Sequence, residues 1–345
     1  MLAHRLTAVP DEDGLIFEPK WDGFRTLVFR DGDELILQSR DLKPMARYFP
    51  ELLEPLKGSL PDRAILDGEI IIERNGAIDF EAMQLRLHPA ASRVNMLSKE
   101  IPAGIVFWDL LAKGDESLMT VPFHERRRQL EEVLKDAEPP VYITPATQDR
   151  ALATEWFHRF EGAGLDGIMA KPKDGVYQPG KRSMFKVKHE RTCDCVVAGF
   201  RWHKNGPGTL VGSLVLALYD DHGTLHSIGV TASFTAAKRK ELVETLAPYR
   251  EGAKEAHPWR DMGKGAEPNE RRPDMKSRWN ANKSLAWEPL RIELVVEVAY
   301  DHMQGSRFRH TAQFRRFRTD RTPESCKYAQ LEVTPPEELR KILKR

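Results

Sequence analysis

The stretch EPKWDGFRTLVFRDGDELILQSRD, residues 18–41, decides the class of fold. Its second half holds two short apolar runs, residues 26–29 and 35–37, joined at Asp31-Gly32-Asp33, the pattern of a β-hairpin. Its first half sets Lys20, Asp22 and Arg25 around Gly23 immediately before the strand. Charges in that place suit either a solvated sheet edge or chemistry, and the rest of the chain has to decide between them.

Outward from the hairpin the same alternation continues. AILDGEIIIERNGAIDF, residues 64–80, reads as two strands turned at Asn75-Gly76, and GIVFWDLLA, 104–112, as a buried strand. PFHERRRQLEEVLKDA, 122–137, places a proline at its start and Leu130, Val133 and Leu134 on one face, which predicts an amphipathic helix. A second helix is predicted around 151–164, before the strand DGIMAK. After about residue 190 helices thin out, and CDCVVAGFRW, GSLVLALYD, LHSIGVTAS and RIELVVEVAYD follow with one helix, TAAKRKELVETLAPY. The fold expected is α+β: a first domain, 1–190, of antiparallel sheets with helices, and a second, 191–345, forming a small all-β barrel of the OB type. Residues 255–284, rich in Pro, Gly and Asn, are expected to form a mobile loop, in which Trp259, Arg271, Arg272, Lys276 and Arg278 either contact a polyanionic partner or stay solvated.

Composition bounds the function classes. A chain of 345 residues exceeds one ordinary core. Charged residues make up 30%, no apolar run approaches the ~20 residues that span a bilayer, and the first residues lack a signal-peptide pattern. A soluble cytoplasmic protein is expected. Cys193, Cys195 and Cys326 are too few for a disulfide framework and read as reduced thiols. The net charge of +1 conceals an asymmetry: residues 191–345 hold 27 Lys or Arg against 20 Asp or Glu, which leaves the first 190 acidic. A basic half beside an acidic one suits an enzyme that grips a polyanion.

Four further charged clusters accompany Lys20: Arg40 after the hairpin, Glu69 in LDGEI, Asp166 and Lys171 in LDGIMAKP, and Lys186 with Lys188 in MFKVKHE. Alternation with apolar residues gathers such charges on one strand face. Several cations with two or three carboxylates compose a pocket for a nucleoside triphosphate and its metal.

Six ordered motifs, covering nearly the whole chain, resemble those of the covalent nucleotidyltransferases, most closely the ATP-dependent DNA ligases of the compact bacterial stand-alone kind, ligase C-like. They are Lys20-Trp21-Asp22-Gly23-Phe24-Arg25, Ser39-Arg40, Asp67-Gly68-Glu69, Trp108-Asp109, Asp166-Gly167-Ile168-Met169-Ala170-Lys171 and Phe185-Lys186-Val187-Lys188.

The resemblance implies that residues 1–190 are an adenylation domain and that Lys20 attacks the α-phosphate of ATP, forming lysyl-AMP. A free lysine has a pKa near 10.4, so under about 0.1% is neutral at pH 7, and neighbouring cations must favour the amine. Lys186, Lys188 and Mg²⁺ or Mn²⁺ are the cations implied. By the same resemblance Glu18 reads the adenine amino edge, Trp108 stacks on the base, Arg25 and Glu69 hold the ribose and nearby phosphate, and Arg40 adds a positive contact. Lys171, Lys186 and Lys188 contact the α-phosphate and triphosphate. Glu69 and Asp166 are the metal-linked carboxylates, and Asp166 departs by one methylene from the glutamate commoner in the family. Arg318-Thr319-Asp320-Arg321 matches an element that orients the leaving pyrophosphate, so Arg318 and Arg321 join the site, with a mobile hinge expected at 190–194. AMP would pass to the 5′-phosphate of nicked duplex DNA, and the 3′-hydroxyl would displace it. A monomer acting in repair, without a large DNA-binding domain before Lys20, is expected. An RNA ligase, a GTP-using capping enzyme and a non-catalytic OB-type binder are the rival readings.

Overall fold

The computed structural model describes residues 1–260, 285–301, 303–331 and 339–343. They form two units, residues 1–189 with the helix Leu339–Leu343, and residues 190–331. The expected second span, 191–345, therefore gives up its end. Leu339 and Ile342 are buried in the first unit, in the same apolar cluster as Trp156 and Phe160. The Leu339 N–H donates to Gly76 O at 2.7 Å, and Arg340 lies 3.0 Å from Glu73. A five-residue helix gains stability only by covering its apolar side, and this is the cover it finds.

Two sheets build the first unit. A four-stranded sheet runs Leu2–Leu6, Arg182–Val187, Ile168–Pro172, Leu15–Pro19, with its first pair parallel and the others antiparallel. The larger sheet runs Val141–Ile143, Gly104–Lys113, Arg63–Ile71, Phe24–Asp31, Glu34–Ser39, with Glu116–Ser117 pairing beside it on Gly104–Lys113. The hairpin read at Gly32 is present, with Gly32 at φ 59°. At Asn75-Gly76 both residues have positive φ, as a type I′ turn requires, but this ladder is only two residues long on each side. Arg63–Ile71 is held instead between Phe24–Asp31 and Gly104–Lys113.

Period-two alternation sorts the larger sheet into two faces. Phe24, Val28, Leu66, Ile70, Ile105 and Phe107 enter one core, under the short helices of residues 46–59 and the helix Phe80–Arg86. Arg25, Asp67, Glu69 and Trp108 consequently point the other way. In the smaller sheet Phe17, Ile168 and Ala170 pack toward the helix Arg150–Arg159, whose N-cap Asp149 accepts from Ala151 N–H and Leu152 N–H. The cross-strand row Glu18, Met169, Lys186 lies on the opposite face.

In the second unit the strands Leu225–Thr231, Gly206–Tyr219, Arg191–His203, Val295–Tyr300 and Gln313–Phe317 pair in that order, all antiparallel. A parallel bridge from Thr231 to Ala312, with Ala312 N–H donating to Val230 O at 3.0 Å, joins the last strand to the first of that order. Numbered along the chain, this is the 1-2-3-5-4-1 path of the OB type. The helix Ala236–Leu246, capped by Thr235, sits between the third and fourth strands. Trp259 corrects the expectation that the loop from 255 is mobile and open to a partner along its whole length. It is 5% exposed, its Nε1–H donates to Leu225 O at 2.7 Å, and it packs edge-on against Trp287. An indole of that area is better placed in the core than on a loop. Arg271, Arg272, Lys276 and Arg278 lie outside the described residues. Cys193, Cys195 and Cys326 are free thiols, all buried.

Candidate active site

Lys20 follows the end of the strand Leu15–Pro19, and its loop is pinned by backbone. Lys20 N–H donates to Gly167 O at 2.8 Å, and Asp166 N–H donates to Lys20 O at 2.9 Å. Gly167, at φ 128°, lies so close to the neighbouring strand that a Cβ would meet Val187 O at 2.0 Å. Gly23 is equally constrained, since a Cβ there would meet Ile70 O at 2.1 Å. The glycine that raised the opening question is thus required by close approach of two strands.

That pinning brings charges together from distant motifs. Lys20 Nζ lies 2.5 Å and Lys188 Nζ 2.6 Å from the same oxygen, Asp166 Oδ2. Burial lowers the Lys186 ammonium below its ordinary value, and Lys188 and Lys20 repel its charge further. Glu69 accepts Gly23 N–H at 2.9 Å. Burial pushes its carboxyl up to about 7, against the pull of Lys20, of the Gly23 hydrogen bond and of Arg25.

A second cluster adjoins the first. Glu18 is 2% exposed, with Lys171 Nζ 2.6 Å from its Oε2 and Arg127 Nη1 3.4 Å from its Oε1. Lys171 also stands 5.7 Å from the Trp108 ring centre, and Arg25 stands 6.0 Å from it on the other strand. Arg25 is held in a fork by Asp67 at 3.0 and 2.6 Å, and its Nη2 also donates to Tyr177 Oη at 3.2 Å. Burial opposes the charge on Arg25, but Asp67 outweighs it and raises the guanidinium above its ordinary value. Tyr177 and Arg127 were not singled out in the sequence, and Asp67 entered only as part of the Glu69 motif, with no role of its own. Asp67 sits two residues before Glu69 on one strand, so alternation was the available signal; Arg127 is three residues before Leu130, on the helix face that turns inward.

The site residues are not all in one place. Arg40 has a side chain 72% exposed, with Asp41 at 3.8 Å as its ion partner, and no hydrogen bond among the described residues joins it to the Lys20 groups. Arg318 and Arg321 lie in the second unit, both directed at Asp194, from 3.1 and 3.3 Å. Arg318 also forms two hydrogen bonds to Asp320, which hold the guanidinium above its ordinary value and the Asp320 carboxyl well below the usual carboxylate range.

The donor set bears on a metal. Glu69 and Asp166 both flank Lys20, yet among the described residues no group of three or more His, Cys, Asp or Glu side chains is placed to cage an ion. One or two carboxylates suit a hard divalent cation carried mainly by the phosphates of a bound nucleotide.

Comparison with known proteins agrees with this arrangement. The family model described as "ATP dependent DNA ligase domain" matches residues 1–188, and that for the "ATP dependent DNA ligase C terminal region" matches 207–321. DNA ligase C2 of Mycolicibacterium smegmatis is 53% identical over 97% of this chain and 94% of its own length. DNA ligase C of Mycobacterium tuberculosis is 51% identical over 96% and 93%. A solved structure from a study of Lig E DNA ligases shares the fold at 18% identity and a TM-score of 0.55, covering 92% of this chain and all of its own.

Proposed function

We infer the division of labour around Lys20 from one premise: the chain belongs to the ATP-dependent DNA ligase family. It is an ATP-dependent DNA ligase acting on nicked DNA. The observation that carries the assignment of roles is the convergence of Lys20 and Lys188 on one carboxylate oxygen.

Lys20 Nζ attacks the α-phosphorus of ATP. The N–P bond forms, the bond to the bridging oxygen of the β-phosphate breaks, and pyrophosphate leaves. One proton of the Lys20 ammonium passes to Asp166 Oδ2, already within hydrogen-bond reach, to give the neutral amine that attacks, and a second leaves the nitrogen to solvent as the N–P bond forms. Lys188 and Lys186 offset the charge of the phosphates. Glu69 and Asp166 would hold a divalent cation with the nucleotide, which supplies charge neutralisation during in-line transfer. Trp108 offers its face to the base, and Glu18 its carboxylate to the amino edge. Arg25 bears on the ribose, with Asp67 fixing its plane. Arg318 and Arg321 are assigned to the departing pyrophosphate. The adenylyl group then passes to the 5′-phosphate, and attack by the 3′-hydroxyl closes the nick and frees AMP.

Stripping of any pre-bound AMP with pyrophosphate, then incubation with α-labelled ATP or, separately, α-labelled GTP, and a chase with nicked duplex test this reading. Label from ATP only, absent in Lys20→Ala and discharged as the nick closes, is the expected result. Label from GTP would move the chain to capping chemistry. We assign the sealing to DNA repair in the cytoplasm, by a monomer; sedimentation with and without nicked duplex tests the monomer. No described helix is long and apolar enough to cross a membrane.

A further inference from the structure

The helix Phe123–Val133 buries more than the leucines that mark it in the sequence. Arg127, 7% exposed, uses each of its three nitrogens on a different partner. Nε donates to Glu131 Oε1 at 2.8 Å, Nη1 reaches Glu18 Oε1 at 3.4 Å, and Nη2 donates to Thr144 O at 2.6 Å. Thr144 is fully buried, and its Oγ1 accepts Trp21 Nε1–H at 2.8 Å. Glu18 stands two residues before Lys20 and Trp21 one after it. A single guanidinium therefore braces the nucleophile's loop from both sides.

The same contact fixes what Glu18 can read. With Arg127 on Oε1 and Lys171 on Oε2, the carboxylate cannot turn, yet each oxygen keeps capacity for another donor. A purine with an amino group at C6 presents a donor there. A 6-oxopurine presents a carbonyl oxygen there, which repels the carboxylate and offers it no donor.

We propose that Arg127 is a positioning residue for nucleotide selection: it locks Glu18 and the Lys20 loop against each other, so that the pocket admits a 6-aminopurine triphosphate and refuses a 6-oxopurine one. This rests on the assignment of Glu18 to the base edge. Lysine cannot replace Arg127, because an ammonium cannot span three partners lying in different directions.

The test is self-labelling of the full chain with α-labelled ATP and, separately, α-labelled ITP, for the wild type, Arg127→Lys, Arg127→Gln, Glu18→Gln and the double variant Arg127→Gln/Glu18→Gln. The kcat/KM preference for ATP over ITP should fall about tenfold or more in both Arg127 variants. Glu18→Gln should lower it as well, and the double variant no further, since both act through one contact. A melting curve identifies any variant that fails to fold, and Arg127→Lys, which keeps the charge, decides if Arg127→Gln does so. An unchanged preference in folded Arg127 variants while Glu18→Gln loses it, or equal loss for both nucleotides, overturns the role of Arg127 and leaves Glu18 as the reader. An unchanged preference in Glu18→Gln overturns the base-edge assignment and this inference with it.

Discussion

Lys20 Nζ and Asp166 Oδ2 stand 2.5 Å apart, and Lys188 supplies Asp166 with a second ammonium. Removing one lysine therefore leaves the carboxylate paired. Lys20→Ala should fold, with a melting temperature within a few degrees of wild type, and form no lysyl-AMP. Asp166→Asn removes the negative charge and the basic oxygen shared by both lysines and should slow self-adenylation by about 10²–10⁴-fold. Single-turnover transfer from α-labelled ATP measures both, and a nearly wild-type rate in Asp166→Asn would sink the proposed proton transfer.

Glu69 makes the pocket itself sensitive to pH. Its carboxyl is raised from 4.5 to about 7, so between those values the folded state binds a proton that the unfolded state has lost. The stabilisation from the neutral carboxyl is complete below about pH 4.5 and is lost as pH rises through about 7. Glu69→Gln stays neutral throughout. Its melting temperature relative to wild type should climb by about 2–5 °C between pH 5 and 7.5 in the absence of nucleotide. A constant difference across that range would show that Glu69 is not the titrating group.

Arg318 and Arg321 share Asp194, and their assigned role concerns pyrophosphate alone. Arg318→Ala should reduce lysyl-AMP formation by about 10–100-fold. Closure of a nick that already carries AMP on its 5′-phosphate should proceed within about threefold of wild type, because that step releases no pyrophosphate. Equal losses in the two assays would contradict the assignment.

Trp259 is placed for stability. Replacing it by alanine opens a cavity beside Trp287 and leaves Leu225 O without its donor. The expected cost is about 3–5 kcal/mol, read as a lower denaturation midpoint for the second unit. If Trp259→Ala left that midpoint unchanged and only weakened DNA binding, the indole would be acting as a surface contact.

The motif strands and the two hairpin turns were legible because their signals are local: alternation, Asn-Gly and Asp-Gly, and a proline-initiated helix. The OB path was legible from strand number and the position of one helix. What escaped depended on distant partners. Leu2–Leu6 is a strand because Arg182–Val187 pairs with it, and nothing within its five residues says so. The helices Phe80–Arg86 and Ala91–Glu100 are only seven and ten residues long, too short for their periodicity to stand out, and were passed over. Trp259 lies in a polar, proline-containing stretch whose composition outweighed the single indole. In the site, Lys20, Glu69 and the lysines of the last motif stood out as charges on strands. Arg127 did not, since an arginine among three on a helix reads as solvated until its spacing to Leu130 is followed inward.

The order of the smaller sheet has a consequence for synthesis. Lys20 directly follows the strand Leu15–Pro19, which is made early, but that strand bridges to Thr147 and pairs with Ile168–Pro172, both far downstream, and the carboxylate facing Lys20 Nζ comes 146 residues later. At about 5–20 residues per second, the ribosome emits the nucleophile roughly 7–30 s before its counter-charge. Through that interval the hairpin and the larger sheet have all they need to form, while the lysine has neither a sheet nor a partner. A nascent chain arrested before residue 166 therefore lacks the acidic partner of Lys20, and the whole charge cluster around that lysine exists only once the strand Arg182–Val187 and the Lys188 that follows it have cleared the exit tunnel.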